Sequence, residues 1–247
     1  MTELFDDIGK YYDLLYQNKD YESEAEYLDL LLKRFSNQTQ SILELGCGTG
    51  KHAKYLFKKG YKIHGIDRSK SMIEIASKNK RGIYEQGDIL KINLEKEFDV
   101  IISLFHVFSY QTSNSSVLKL LSNAYKHLKK GGIFIFDIWY SPAVLSIGPS
   151  NRFLKLSNDD IEILRIAEPE IFPNENIVKV KYQFFVREKL KDDWKTFKEI
   201  HPMRHFSLPE LSFYAESKGF SIIHSEEWLT GLRPSKNSWS ICLVLKK

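Results

Sequence analysis

Two cysteines in 247 residues, Cys47 and Cys242, are too few and too far apart for a disulfide framework or a thiolate metal cage. Both are expected as reduced thiols. The histidines, among them His52, His64, His127 and His224, show no ligand spacing, so no metal is expected. Long hydrophobic runs are missing too. "DVIISLFHVF" and "GIFIFDIWY" are too short to span a bilayer, so no membrane partner is expected. The opening "MTELFDDIGK" is acidic, with no basic stretch ahead of an apolar one, and the expectation is a cytoplasmic protein. No internal repeat or low-complexity tract is visible. The formal charge is +4, but lysines are interspersed with aspartates and glutamates rather than gathered into a stripe. That speaks against a nucleic-acid partner and leaves an anionic small substrate compatible.

Against these absences stand a 43% hydrophobic content, ample for a core, and a clear order of elements. "DYESEAEYLDLLLKRF" sets Tyr27, Leu28, Leu31, Leu32 and Phe35 on one helical face. Strand and helix then alternate. "SILELG", "YKIHGID", "GIYEQGD", "FDVIISLF" and "IFIFDIW" read as five strands. Between them lie the helices "KHAKYLFKKG", "SKSMIEIASKNK" with Ser69 as N-cap, and "SVLKLLSNAYKHLKKGG", whose lysines and paired glycines mark its expected end. Such alternation predicts a parallel sheet with helices on both faces. After Pro142 the pattern changes. Val178, Val180, Tyr182, Phe184 and Val186 alternate with polar residues, "KDD" marks a turn, and Trp194 and Phe197 lie on a return strand. "SLPELSFYAESKGF", capped by Ser207, is a helix, and "SIIHSEEWL" and "SWSICLVLKK" are two last strands returning to the main sheet. The expectation is an α/β, Rossmann-like domain with an antiparallel β insertion after the fifth strand.

In "ELGCGTG", Gly46, Gly48 and Gly50 end the first strand, where a ligand can approach bare backbone. Asp67 ends the second strand about twenty residues later, where a carboxylate can accept both ribose hydroxyls. A dinucleotide would need a third glycine where Lys51 stands. Glu44, two residues before the first glycine, repels a pyrophosphate and suits the ammonium of an amino acid, directly or through water. Ribose, adenine and an amino-acid tail together are S-adenosylmethionine. A nicotinamide oxidoreductase is thereby disfavoured.

"ELGCGTG" with "GID", then "GDI", "FDVIISLF" and "LKKGGIFIFDIW" in order, resembles the class I S-adenosylmethionine-dependent methyltransferases. The resemblance runs from Ser41 to Tyr140 and implies a mostly parallel seven-stranded sheet with helices on both faces. It also implies that Asp67 and Arg68 flank the ribose, Met72 packs on adenine, Asp88 and Ile89 meet its edge, and Leu104 lies by the methionine portion. Gly46, Cys47, Gly48 and Gly50 would form the seat with Glu44. "YYDLLYQNKDYESEAEYL", "DIWYSPAV" and "EIHPMRHFSLPELSFYAESKGF" resemble more narrowly the sugar N,N-dimethyltransferases, which act on nucleotide-linked aminosugars. That likeness implies a helical lid over residues 1–40, a core over 41–150, an insertion over 151–206, a completing segment over 207–247, and a homodimer. It also implies cofactor contacts from the lid tyrosines Tyr12 and Tyr21.

Methyl transfer from a sulfonium to an amine needs an unprotonated nucleophile, so a base near the methyl is expected. The candidates are His106, just past the fourth strand, Tyr110, where that family carries a histidine, and Tyr12. His106 could equally be packed under the cofactor and bonded to backbone. For the substrate the candidates are Trp139, Tyr140, His201 and Arg204, the last suited to a phosphate by its fork of donors or else engaged in an ion pair. The favoured acceptor is the amino group of a nucleotide-linked sugar. O-methylation of a sugar or another small metabolite, and a non-catalytic cofactor-binding role, are the alternatives. No "NPPY"-like motif follows the fourth strand, which disfavours an RNA or protein acceptor.

Overall fold

The sequence explains the sheet through its period-two pattern. In β1 (Ser41–Leu45), Ile42 faces one way and Leu43 and Leu45 the other, all fully buried. The same division runs through β4 (Phe98–Ser103), β5 (Leu128–Tyr140) and β11 (Ser240–Lys246). A strand apolar on both faces must be covered on both. On one side lie α5 (Asn114–His127) and α7 (Leu208–Glu216), contributing Leu120, Leu121 and Leu211. On the other lie α2 (Tyr21–Phe35) and α3 (Lys51–Lys58), contributing Leu28, Leu32 and Leu56.

The computed structural model describes residues 9–36, 38–191 and 193–247. Residues 1–8 of the expected lid, and Asp192 in the expected "KDD" turn, lie outside the described residues. The main sheet adds β2 (Lys62–Asp67), β3 (Ile83–Gln86) and β10 (Ser221–Glu227), in the order β3-β2-β1-β4-β5-β11-β10. Strands β1 to β5 run parallel, while β11 is antiparallel to β5 and β10 to β11. This is the Rossmann-like architecture that the alternation of strand and helix predicts. Ser69 caps α4 (Lys70–Lys78) and Ser207 caps α7, as their positions predict.

Two expectations change. Helix α5 stops at His127, so "LKKGG" belongs to β5 and not to the helix end. Pairing with β4 jumps from Phe98↔Leu128 to Val100↔Ile133, a bulge in which the Gly131 amide donates to the Lys247 carbonyl. That partner lies at the far end of the chain, beyond any local reading. After β5 comes a short helix, α6 (Ser141–Ile147), where only a change of pattern was expected.

The insertion is a four-strand antiparallel run: β6 (Arg152–Ser157), β7 (Ile161–Phe172), β8 (Ile177–Glu188) and β9 (Asp193–Phe206). It joins the main sheet through Trp139↔His205 and Tyr140↔Phe206, at the carboxyl end of β5. The insertion therefore overhangs the rim where ligands bind open parallel sheets. Tyr11 and Leu15, the latter ending the short α1 (Tyr12–Leu15), pack on Ile163, Phe184 and Val186 of the insertion. No helix of the described residues is long and apolar enough to cross a membrane.

Candidate active site

After β1 the Gly46 and Cys47 amides both donate to the Ile66 carbonyl, at 2.8 and 3.0 Å, latching the turn to the end of β2. Gly46 and Gly48 take φ of +77° and +53°. A β-carbon on Gly46 would meet Val107 Cγ2 at 2.6 Å, whereas one on Gly48 would meet nothing within 4 Å. Gly48 is thus bare towards the cavity and not towards the protein. Its amide donates to Asp67 Oδ2 at 2.8 Å, and the Ser69 amide to Oδ1 at 2.9 Å. Burial pushes the Asp67 carboxyl up, against the pull of those amides.

Beside this turn opens a cavity of about 640 Å³ that runs on to the insertion sheet. Of the expected cofactor residues, Tyr12, Tyr21, Gly46, Cys47, Gly48 and Asp67 line it, as do Arg68, Met72, Asp88, Ile89 and Leu104. Arg68 Nη2 lies 3.4 Å from Asp88 Oδ1. Burial pushes the Asp88 carboxyl up, but the Leu90 amide and Arg68 outweigh it and hold the group below its usual value. Gly50 lies off the wall. Its left-handed φ starts α3, and a β-carbon there would meet Tyr84 Oη at 3.1 Å.

Glu44 also lies off the wall, 1% exposed. Its Oε1 is 3.6 Å from His52 Nδ1, and its buried Oε2 has no hydrogen-bond partner. His52 itself lines the cavity, with Nε2 at 2.6 Å from Glu24 Oε2; Glu24 also pairs with Lys19. The expected direct contact of Glu44 with the cavity is not formed, because the His52 imidazole, which sequence reading missed, stands in front of it. This end fits the expected donor on two structural grounds: a cradle at Gly48 that any side chain would fill, and an orphaned carboxylate oxygen behind His52, suited to an ammonium group.

Further along the wall, Phe105 and His106 both adopt left-handed φ, +60° and +63°, which side chains other than glycine take at a cost of about 1–2 kcal/mol each. Asp137, 2% exposed in β5, holds that conformation. Both its oxygens accept the His106 amide at 3.1 Å, and Oδ2 lies 2.7 Å from His106 Nδ1. Asp137 thus bonds the backbone of His106 and lies beside its ring, whose Nδ1 makes no hydrogen bond, and His106 lines the cavity. Sequence reading missed Asp137, although a carboxylate inside "IFIFDIW" was the visible signal.

Tyr110 Oη lies 2.7 Å from His201 Nδ1, and His201 Nε2 lies 2.7 Å from Glu199 Oε2. Burial pushes the phenols of Tyr110 and Tyr12 well above their usual value, which favours the neutral hydroxyl at both. Of the expected substrate residues, Trp139 and His201 reach the cavity. Tyr140 and Arg204 do not, because strand alternation turns them to the opposite face. Tyr140 packs in the core, and Arg204 Nη2 sits 2.5 Å from Glu210 Oε1 with Nη1 on Asn114 Oδ1 at 2.9 Å. In Arg204's place the wall carries Arg152 and Arg165, which no local motif announces.

A model of a methyltransferase domain matches residues 42–132. The malonyl-[acyl-carrier protein] O-methyltransferase of Priestia megaterium is 34% identical over 195 residues, covering 70% of this chain and 68% of that protein. The dTDP-3-amino-3,4,6-trideoxy-alpha-D-glucopyranose N,N-dimethyltransferase of Streptomyces venezuelae is 27% identical over 140 residues, covering 56% and 59%. In fold, the chain matches the crystal structure of an S-adenosylmethionine-dependent methyltransferase from Clostridium acetobutylicum with a TM-score of 0.80, at 23% identity and 98% coverage of both chains.

Proposed function

Since the chain belongs to the class I S-adenosylmethionine-dependent methyltransferases, we propose that it methylates the amino group of a small, nucleotide-linked sugar. The observation that carries this reading is the pairing of His106 with Asp137 on the wall of the same cavity as Gly48 and Asp67. Bound S-adenosylmethionine supplies an activated methyl group on a sulfonium. The residues of this chain supply the rest. Asp67, fixed by the Gly48 amide, would hold the ribose, Met72 on the same wall would offer an apolar surface to adenine, and the wall at His52, backed by Glu24 and Glu44, would suit an ammonium group.

An amine of pKa above 7 arrives protonated and must lose a proton to become a nucleophile. In this reading His106, on the cavity wall, takes it, and the Asp137 carboxylate beside it stabilises the imidazolium that results. Such a positioned base contributes roughly 10²–10⁴-fold. Tyr12, Tyr16 and Tyr21 close the lid side of the cavity and exclude water.

The test is incubation with S-adenosylmethionine and dTDP-linked aminosugars, with S-adenosylhomocysteine release and product mass as readouts. Mono- or dimethylated amine is the expected product. Methylation confined to hydroxyl or carboxylate analogues would refute the amine reading. O-methylation is the second reading, favoured by the two arginines on the acceptor side, which suit a carboxylate as well as a phosphate.

A further inference from the structure

On the cavity face of the insertion sheet, Arg152 stands opposite Ala167 in the β6–β7 ladder, and Arg165 is two residues before Ala167 on β7. Alternation puts both arginines on one face, and both line the cavity. Diagonal neighbours of this kind are about 7–8 Å apart, so two long side chains can converge on one group. Ala167 leaves space between them, being the smallest side chain in the row Arg152–Ala167–Tyr182–Glu199.

On the outer face of the same sheet Arg187 and Lys155 share Glu162, and behind β9 Arg204 pairs with Glu210. Among the described residues neither Arg152 nor Arg165 forms such a pair. Glu199, the carboxylate in their row, spends Oε2 on His201. Arg165 is hydrogen-bonded to Tyr16 and lies over the Tyr182 ring at 5.6 Å, and its buried Nε has no acceptor. Arg187 and Arg204 also have a buried, unbonded Nε, but each places Nη2 on a carboxylate. Burial pushes the Tyr16 hydroxyl up to about 12, so it stays neutral, its oxygen accepting from the guanidinium and its own proton left to donate. A half-buried guanidinium held by neutral partners, with donors unused, is a site for an oxyanion.

The geometry points to an oxyanion-binding subsite formed by Arg152 and Arg165, with the Tyr16 hydroxyl beside it, which holds the phosphate or carboxylate group of the methyl acceptor. It deepens the acceptor assignment above and rests on it only for where the anion comes from. The subsite lies close to the reaction centre: Tyr16 packs edge-on against Phe105 at 5.0 Å, and Phe105 precedes His106.

The experiment is calorimetric titration of the full chain, saturated with S-adenosylhomocysteine, with three probes: dTDP, inorganic pyrophosphate and malonate. At least one should bind the native protein with one-to-one stoichiometry. Arg165→Ala and Arg152→Ala should each weaken that probe by about 10–100-fold, the range for a lost charge-assisted contact. Arg165→Lys should recover only part, since it restores the charge without the fork. S-adenosylhomocysteine affinity, unchanged in all three variants, reports that they are folded. Binding of dTDP and pyrophosphate but not malonate would support both the subsite and a nucleotide-linked acceptor. Malonate binding alone would keep the subsite and overturn the sugar-nucleotide reading. If no probe binds, or if the alanine variants bind as the native chain does, the subsite is refuted while methyl transfer to an amine stands.

Discussion

The two ends of the cavity are built in different ways. At the donor end the chemistry is held by backbone and by residues close in sequence: the turn after β1, the Asp67 carboxylate after β2, and the amides of Gly48 and Ser69 that fix it. At the acceptor end no two successive residues suffice. His106 depends on Asp137 in β5, Tyr110 on His201 in β9, and the arginines come from β6 and β7. The donor end is a property of a short peptide folded over a strand end. The acceptor end is a property of sheet register. If this contrast is real, substitutions at one end should leave the other intact.

Asp137→Ala offers the largest separation. It removes the carboxylate that lies beside the imidazole and accepts the backbone amide of left-handed His106. Methyl transfer should fall by about 10²–10⁴-fold, the usual contribution of a positioned base. S-adenosylhomocysteine affinity, read by calorimetry, should stay near the native value. A parallel loss of donor affinity would show that the two ends are one unit.

Arg204 tests the contrast from the other side, since its residue type suggests a substrate anchor and its surroundings do not. It is 6% exposed and shares Glu210, Asn114 and Tyr214 as partners. Arg204→Met leaves the carboxylate of a mostly buried pair without its cation and should cost about 3–5 kcal/mol of stability in urea unfolding. The double change with Glu210→Leu should recover most of it. Oxyanion affinity in the double variant should match the native chain, unlike in the variants of Arg152 and Arg165.

A smaller effect separates two glycines within the donor turn. Gly48→Ala should cost about 1 kcal/mol of stability, from left-handed strain alone, because its β-carbon meets no protein atom. S-adenosylhomocysteine affinity should nevertheless fall about tenfold or more, equivalent to about 1.4 kcal/mol. Gly46→Ala adds a clash with Val107 and should lose more stability than Gly48→Ala. Equal effects at the two positions would mean that the bare face of Gly48 is not where the donor lies.

The same division decides what could be read from sequence. The strands and the caps at Ser69 and Ser207 were legible because each follows from residues within a few positions of one another, and the turn at Gly46 and Gly48 was legible with Asp67 because they end successive strands. Asp137 left a trace, a lone acid in an apolar strand. Arg152, Arg165 and Glu199 left none: on an alternating strand a charged residue usually faces water, and only the overhang of the insertion turns this face inward. Arg204 misled because one step of register decides which side of β9 faces the cavity. Glu44 was half legible, since its position follows from the motif but His52 reaches it only through the fold.

Acidity sharpens the comparison with the smallest effect, because His52 on the donor wall and His205, buried where the insertion joins β5, respond in the opposite sense. Burial pushes His52 down, but hydrogen bonds from Glu24 and Glu44 outweigh it and leave the group above its usual 6.5. The stability it contributes is complete below pH 6.5 and is lost as pH rises through the raised value. Burial and the neighbouring Arg204 lower His205 to about 4, and its Nδ1 lies 2.8 Å from Ser141 Oγ. Its contribution is complete above pH 6.5 and is lost as pH falls towards 4. His52→Gln should therefore flatten the alkaline limb of the stability profile, and His205→Leu the acid limb below 6.5. Urea unfolding at pH 5, 7 and 8.5 distinguishes the two limbs. Loss of both limbs in either variant would mean that the donor and acceptor ends share one proton-linked network.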